Sequence, residues 1–121
     1  MGKLILLLGD TPFQSERVSH ALNLAKAALQ IGHMVSIFLF MDGVYNMVTT
    51  QRGDLFKIES ITSELAGISK MGARIVCCKL CTELRGVGGI LKPHFVEETN
   101  IAELNEELQN ADAVVSFMGG P

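Results

Sequence analysis

The sequence predicts an α/β fold in which helices cover both faces of a mainly parallel β-sheet. Short apolar runs alternate along the chain with stretches of helical periodicity, and the first run, residues 4–8, is apolar at every position. A uniformly apolar run is typical of a strand buried on both faces, as parallel sheets require. Strands that alternate with helices predict parallel βα units. The 121 residues fit one domain, residues 1–121, and the 48% apolar content supplies a substantial core.

The first βαβ unit has clear local signals. Residues 4–8 form the predicted first strand, residues 17–30 carry an apolar helical stripe, and residues 35–40 form the second strand. The helix has two plausible starts, with either Thr11 or Ser15 as its cap; Pro12 and Gln14 support the former. Gly32 is the expected stop.

The remaining elements follow the same alternation. A second helix is predicted over residues 55–71, a third strand over 73–78, a brief fourth strand within "KPHFVEE", a last helix capped by Asn100, and a fifth strand over 113–118. Pro93 cannot donate to a ladder, so it predicts a strand start or an edge strand. The residues expected on the inner faces of these two helices are Ile58, Ile61, Leu65 and Ile68, then Ile101, Leu104 and Leu108.

Composition excludes several classes of function. The formal net charge is −3 and no basic run is present, so the chain lacks the electrostatic signature of a nucleic-acid-binding protein. The five consecutive apolar residues near the amino terminus are too few for a signal-peptide core or a membrane span. We therefore expect a cytoplasmic protein with no membrane partner. In that reducing setting its cysteines remain free thiols.

All three cysteines lie within "CCKLC", where the third predicted strand ends. Strand alternation directs Cys77 to one face of the sheet and Cys78 to the other. Cys77 is expected to be a small core residue. Cys78 ends the strand, at the carboxyl edge where parallel sheets bind ligands, so its sulfur is expected to reach the crevice there. Cys81 follows at C-x-x-C spacing.

Four interpretations of these thiols remain open. A zinc site lacks a fourth close ligand, since three thiolates and the distant His94 form an incomplete pattern. A dithiol redox pair has the correct spacing but normally requires a helix to open directly after the strand. Inert buried thiols are also common. The favoured interpretation is a reactive thiolate or persulfide carrier, which needs an exposed sulfur and nearby donors such as Lys79 and Arg85.

Two motifs carry a family resemblance. "FLFMDGVYN" after the second strand and C-x-x-C-x-x-x-R-G-V after the third resemble the DsrE/DsrF family, which includes the TusD-like sulfur-relay proteins. The resemblance implies a three-layer α/β/α sandwich with a five-stranded, mainly parallel sheet. It also implies trimers or hexamers, homomeric or mixed, and partner proteins that donate and accept sulfur. Cys78 matches the cysteine that carries sulfane sulfur as a persulfide, Cys81 matches a second cysteine found in some members, and Asp42 matches a polar position beside the site.

The sequence thus predicts an intracellular sulfur-transfer protein, a sulfurtransferase or a sulfur-relay carrier, with no cofactor and no bound metal. Gly86 and the glycines after it would let the backbone approach the Cys78 sulfur or simply form a flexible connection. Asp42 and Gly43 form a turn that would also orient a donor. Thr11 would seat an anion at the first helix, although plain capping is the simpler role.

Two further functions stay open at this point. The first is a dithiol–disulfide redox protein that uses Cys78 and Cys81. The second is a non-catalytic small-ligand or assembly module in which the thiols are incidental.

Overall fold

The computed structural model describes residues 2–119 and contains a five-stranded, all-parallel sheet of order β4-β3-β2-β1-β5. Each strand is a short apolar run, as predicted, except that β4 is half acidic. The strands are β1 (Lys3–Leu8), β2 (Met34–Leu39), β3 (Arg74–Cys78), β4 (Val96–Thr99) and β5 (Ala113–Phe117). The predicted α/β fold is confirmed, and β4 does lie at an edge.

Helices cover both faces and produce three layers. The long helix α1 and the helix α2 pack on one face, and α4 packs on the other, while α3 follows β3 directly at the carboxyl edge. No helix among residues 2–119 is long and apolar enough to cross a membrane. The helices are α1 (Glu16–Gln30), α2 (Ile61–Lys70), α3 (Lys79–Arg85) and α4 (Ile101–Gln109), with 3₁₀ segments at Met41–Met47, Gly53–Phe56 and Gly89–Leu91.

The two faces of the sheet are packed very differently. The core under α1 and α2 draws buried side chains from four strands and both helices. Among residues 2–119, the core under α4 contains only three buried residues, Ile5, Phe38 and Val76, and α4 contributes only the partly buried Leu104 and Leu108 to it. No residue of α4 is itself buried. The α4 layer is therefore the more weakly held of the two.

The helix caps resolve the two alternatives for α1. Ser15 is the cap, and its Oγ accepts a hydrogen bond from the Arg17 amide. The Gln14 side chain does reach back to Thr11, accepting hydrogen bonds from its amide and hydroxyl at 2.9 and 2.8 Å. No helix begins there because Phe13 adopts a left-handed φ of 63°, a conformation that interrupts a right-handed helix.

The predicted start of the second helix is wrong. The helix begins at Ile61, capped by Ser60, and Ile58 is 53% exposed rather than on an inner face. Residues 53–56 form a separate 3₁₀ turn that ends where Lys57 adopts a left-handed φ of 57°. The apolar periodicity continued upstream of the true start, but these backbone breaks prevent a continuous helix.

The prediction for the last helix is correct except at its first residue. The Asn100 side chain caps α4 by accepting the Glu103 amide, as expected. Ile101, however, is 60% exposed and does not face the core. It lies in the first turn, where the helix extends past the end of the apolar sheet surface, and it lines the mouth of the cavity described next.

Candidate functional site

The cysteines lie at the carboxyl edge of the sheet, in the turn from β3 into α3. Cys78 is the last residue of β3 and the cap of α3, and Cys81 lies in the first turn of that helix. The Thr82 hydroxyl donates to the Cys78 carbonyl at 2.8 Å and fixes this turn. Helix α3 begins immediately after β3. A dithiol motif requires this arrangement, which the sequence alone did not establish.

Adjacent Cys77 and Cys78 have different surroundings, although both pack in the core under α1 and α2. Cys77 is fully buried in the core under α1 and α2, and burial raises the pKa of its thiol. Cys78 also lines a narrow cavity on the α4 side. The cavity walls are apolar side chains of β2, the segment after it and α4, together with Thr99 and Asn100. Cys77 is therefore a structural residue, and only Cys78 faces a space.

The sequence predicted an exposed Cys78 sulfur, but the structure shows this residue to be buried. The residue is only 6% exposed, and the adjacent cavity is too narrow to hold a water molecule. The cover consists of Ile101 and Leu104 in the first turn of α4, across from Phe40. Sequence reasoning missed this cover because residues 78 and 101 meet only through the crossing of α4 over the sheet.

Cys81 is held in a polar contact with the segment that follows β2. The Met41 amide donates to the Cys81 sulfur at 3.3 Å, and Met41 adopts a left-handed φ of 53°. Burial and, next, interaction with Cys78 raise the pKa of Cys81, although the Met41 amide and the Arg85 charge act in the opposite direction. Cys81 therefore retains its proton at neutral pH beside Cys78. Strained backbone of this kind is frequent at functional sites.

Arg85 and Asp42 form an ion pair that joins two parts of the site. The Arg85 Nε donates to Asp42 at 2.8 Å, and a second guanidinium nitrogen donates to the Cys81 carbonyl at 3.2 Å. The predicted proximity of Asp42 to the thiols is thus present. The predicted role of Arg85 differs, because its guanidinium joins α3 to residues 41–47 and is not a donor to Cys78.

The other four predicted site residues differ in their positions and structural roles. Gly43 is required by close packing: a Cβ there would lie 1.9 Å from the Leu8 carbonyl oxygen. Gly86 ends α3 in a left-handed conformation, with φ 67°, so its role is that of a helix stop. Lys79 is exposed at the start of α3. Thr11 bonds to Gln14 in its own loop.

A second polar cluster lies between β1 and β5, where the strand order reverses. Asp10 is buried there and accepts hydrogen bonds from Ser15 at 2.6 Å, Arg17 at 3.0 Å and the Gly119 amide at 2.8 Å. The Ser15 bond, helped by the Gly119 and Arg17 bonds, lowers the pKa of Asp10 against the opposing effect of burial. The sequence signal was an acidic residue directly after an apolar strand, and the notable partner, Gly119, lies at the far end of the chain.

Metal binding receives no support from the described residues. Between residues 2 and 119, no three His, Cys, Asp or Glu side chains come together in a group able to hold a metal ion.

Comparison with known protein families identifies the chain. The sequence profile of the DsrE/DsrF-like family matches residues 2–117. The chain belongs to the DsrE/DsrF-like family. This membership confirms the resemblance seen in the sequence motifs and makes the chain part of a family of sulfur-relay type.

The curated relatives have no established function. The uncharacterized protein MK0008 of Methanopyrus kandleri is 26% identical over 117 residues, which cover 94% of this chain and 93% of the relative. The uncharacterized protein MJ0989 of Methanocaldococcus jannaschii is 26% identical over 118 residues, covering 95% and 99%. These relatives thus extend the similarity over the full domain without naming a reaction.

Solved structures share the fold. The ychN protein from E. coli superposes with a TM-score of 0.87 at 25% identity, covering 97% of this chain and 100% of that one. MTH1491 from Methanobacterium thermoautotrophicum gives 0.77 at 9% identity, covering 96% and 99%. BT1422 from Bacteroides thetaiotaomicron gives 0.73 at 22% identity, covering 95% and 94%. The last two similarities bear on the fold alone.

Proposed function

We propose that the protein is a persulfide carrier of the DsrE/DsrF-like family that takes up sulfane sulfur on Cys78 and passes it to a partner protein. The observation that carries the proposal is the position of Cys78, the one thiol of the three that ends a strand at the carboxyl edge and lines a cavity. Family membership supplies the chemical class.

The proposed reaction is a pair of exchanges at sulfur. The Cys78 thiolate attacks the outer sulfur of a donor persulfide, the donor sulfur–sulfur bond breaks, and the donor leaves as a thiolate that takes up a proton. Cys78 then carries the sulfur as Cys78–S–SH. An acceptor thiolate attacks that outer sulfur, and Cys78 leaves as a thiolate. One sulfur atom moves at each step and no net oxidation occurs.

Cys81 supports this reaction as a neighbour that stays protonated. Because burial and the interaction with Cys78 raise the pKa of Cys81, its S–H remains available as a hydrogen-bond donor to a sulfur anion on Cys78. The Met41 amide and the Arg85–Asp42 pair hold Cys81 and its helix in position.

A dithiol function is the second candidate, and the turn from β3 into α3 favours it. Cys78 caps α3 and Cys81 lies in its first turn, the arrangement in which C-x-x-C pairs form disulfides. In that case Cys81 attacks the inner sulfur of Cys78–S–SH, hydrosulfide leaves, and a Cys78–Cys81 disulfide remains. The bound sulfane sulfur is thereby reduced to sulfide while the two thiols are oxidised.

The narrow cavity adds a requirement for either function. A donor or acceptor thiol must displace the first turn of α4 before it can approach Cys78 in line with the sulfur–sulfur bond. The thin core under α4 makes that displacement far less costly than a movement of α1 or α2 would be. Partner binding therefore includes an opening step at Ile101 and Leu104.

The sequence and the family membership support a proposed cellular setting. We place the protein in the cytoplasm, with separate proteins as sulfur donor and acceptor, and in a homo-oligomer, a trimer or a hexamer. Its net charge of −3 gives no basis for a nucleic-acid partner.

Intact-mass measurement tests the proposal. The protein is incubated with a small-molecule persulfide, desalted, and measured as wild type, Cys78→Ser and Cys81→Ser. A carrier gains one sulfur atom in wild type and in Cys81→Ser but not in Cys78→Ser. A dithiol protein loses two hydrogens, reversibly and only when both cysteines are present. If no sample changes mass, both proposals are wrong.

A further inference from the structure

Thr99 lies beside Cys78 where β3 and β4 end. The two residues are paired in the register of these strands, which lie roughly 4.8 Å apart, and both line the narrow cavity. Thr99 is only 7% exposed. It has the only hydroxyl among the described residues that line this cavity. The Thr99 hydroxyl is therefore a buried hydrogen-bonding group next to the thiol.

The Thr99 hydroxyl holds the first turn of α4 in place. It donates to the Glu103 carboxylate at 2.6 Å, the distance of a strong hydrogen bond to an anion, whereas its contact with the Asn100 carbonyl is long at 3.5 Å. The Glu103 amide donates in turn to the Asn100 side chain at 2.9 Å. These bonds span Ile101, and Leu104 follows directly. The two α4 side chains of the cavity wall therefore belong to the turn that these bonds hold.

The rest of α4 is anchored separately. Glu107 pairs with Lys3 at 3.0 Å and with Arg74, and Leu108 packs on the small core. None of these contacts involves the first turn. Residues 100–104 can therefore open while the remainder of the helix stays docked, as a local transition of the kind that native proteins undergo.

One hydroxyl cannot serve two acceptors at once. A threonine side chain has a single O–H proton, so while Thr99 donates to Glu103 it cannot donate to the Cys78 sulfur. Among residues 2–119, those that line the cavity include no lysine, arginine or histidine. A sulfur anion on Cys78 thus has no cation in this lining to stabilise it. Breaking the bond to Glu103 leaves the Thr99 proton free beside that sulfur.

We propose that Thr99 is a positioning residue for Cys78 with two alternative acceptors. Its hydroxyl donates to Glu103 while the first turn of α4 covers Cys78, and it donates to the sulfur anion on Cys78 once that turn has opened. The opening step is that of the proposed function, on which this inference rests. Opening therefore stabilises the anion as well as uncovering it, so that Cys78 becomes reactive only when a partner displaces the turn.

Four changes separate the two roles of the hydroxyl. Glu103→Gln weakens the closed state, because a neutral amide is a poorer acceptor than a carboxylate, but it keeps the hydroxyl. Adding Thr99→Val to Glu103→Gln removes the hydroxyl, and adding Thr99→Ser instead retains it. Ser63→Ala is the matched control, since it removes a bond of the same kind at the start of α2, from the Ser63 hydroxyl to the Glu59 carboxylate at 3.2 Å.

The rate of Cys78 alkylation in a Cys81→Ser background measures both roles. It is read by mass from about pH 6 to about pH 10, across the ordinary thiol pKa of about 8.5. On the alkaline plateau, where the thiol is ionised, the rate reports access, and Glu103→Gln is expected to react several-fold faster than wild type. Ser63→Ala is expected to reproduce the wild-type profile.

The midpoint of the pH profile reports the donor. Adding Thr99→Val to Glu103→Gln is expected to move the midpoint to higher pH, and adding Thr99→Ser is expected to leave it unchanged. Both ionisable neighbours in α3 and α4, Cys81 and Glu103, are replaced in each of these proteins, so the hydroxyl is the difference that the comparison reads. Circular dichroism verifies that each variant is folded.

A wild-type plateau rate in Glu103→Gln, or a midpoint that Thr99→Val does not move, overturns the inference. A midpoint that rises equally with valine and with serine also overturns it, because the effect then does not depend on the hydroxyl. Alkylation needs no persulfide. These rates therefore decide the role of Thr99 whether or not wild type takes up sulfur, which is the separate test of the proposed function.

Discussion

Cys77 and Cys78 are neighbours in sequence but differ in their surroundings. Both pack in the large core, where Cys77 is fully buried, but Cys78 also lines the narrow cavity beside the first turn of α4. The large core under α1 and α2 therefore contributes most of the stability, whereas the region under α4 is displaced more easily. Two buried thiols can have different roles when the elements around them differ in stability. Here α4, which lines the cavity at Cys78, is packed less firmly than α1 and α2.

Exchanging each thiol for a hydroxyl gives the largest expected effect. Cys78→Ser is expected to abolish sulfur uptake and to destabilise the protein no more than Cys77→Ser does, because Cys78 is not fully buried and the polar residues Thr99 and Asn100 line its cavity. Cys77→Ser is expected to retain uptake but to lose about 1–3 kcal/mol, because a hydroxyl replaces a thiol at a fully buried position of the core. Persulfide loading by mass and urea unfolding measure the two quantities. Loss of uptake in a folded Cys77→Ser protein would contradict the comparison.

Truncating one leucine on each side compares the two cores directly. Leu65→Ala in α2 is expected to cost about 2–5 kcal/mol, because Leu65 is fully buried. Leu104→Ala in α4 is expected to cost about 1 kcal/mol, since that side chain is only partly buried against three core residues. Urea denaturation followed by circular dichroism measures both. Equal losses would show that α4 is held as firmly as α2.

The cover over Cys78 is expected to set the rate at which its thiol reacts. Ile101→Ala removes part of the cavity wall and is expected to raise the rate of Cys78 alkylation several-fold, read by mass in a Cys81→Ser background. Ile90→Ala is the control, because Ile90 is 94% exposed and does not line the cavity. If both variants alkylate at the wild-type rate, the first turn of α4 does not limit access.

Local signals in the sequence predict most of the fold. Apolar runs predict four of the five strands, and the half-acidic β4 was predicted within "KPHFVEE". The side chains of Ser15 and Asn100 predict two helix starts because a cap depends on residues only a few positions away. The start of α2 was missed because the left-handed residue Lys57 has no clear sequence signal. Its neighbour Ile58 was assigned to the core for the same reason.

The candidate site was predictable in composition but not in arrangement. The alternation of β3 distinguished the core residue Cys77 from Cys78, which lines the cavity, since a strand has a fixed period. The pairing of Asp42 with Arg85 and the cover of Ile101 over Cys78 depend on contacts between residues far apart in sequence. Such contacts follow from the order of strands in the sheet, which the pattern of elements alone does not determine.

The ion pairs of Glu107 give the smallest expected effect and bear on how α4 is held. Glu107 pairs with Lys3 at 3.0 Å and with Arg74, so it joins α4 to the amino edge of the sheet. Burial opposes ionisation, but the Lys3 and Arg74 bonds outweigh it and lower the pKa of Glu107. The stabilisation is therefore present above the unfolded-state pKa of about 4.3 and is lost as the pH falls through the lower folded-state value.

Glu107→Gln is expected to cost about 1 kcal/mol or less at neutral pH, with the difference from wild type shrinking below about pH 4. Because Glu107 holds α4, the same variant is expected to raise Cys78 alkylation modestly. Asp10→Asn is the matched comparison: its lowered pKa gives it a similar acid dependence, but it joins α1 and β5, away from α4. Urea unfolding across pH and alkylation rates separate the two variants. Faster alkylation in Asp10→Asn alone would show that α4 is not the element that controls access to Cys78.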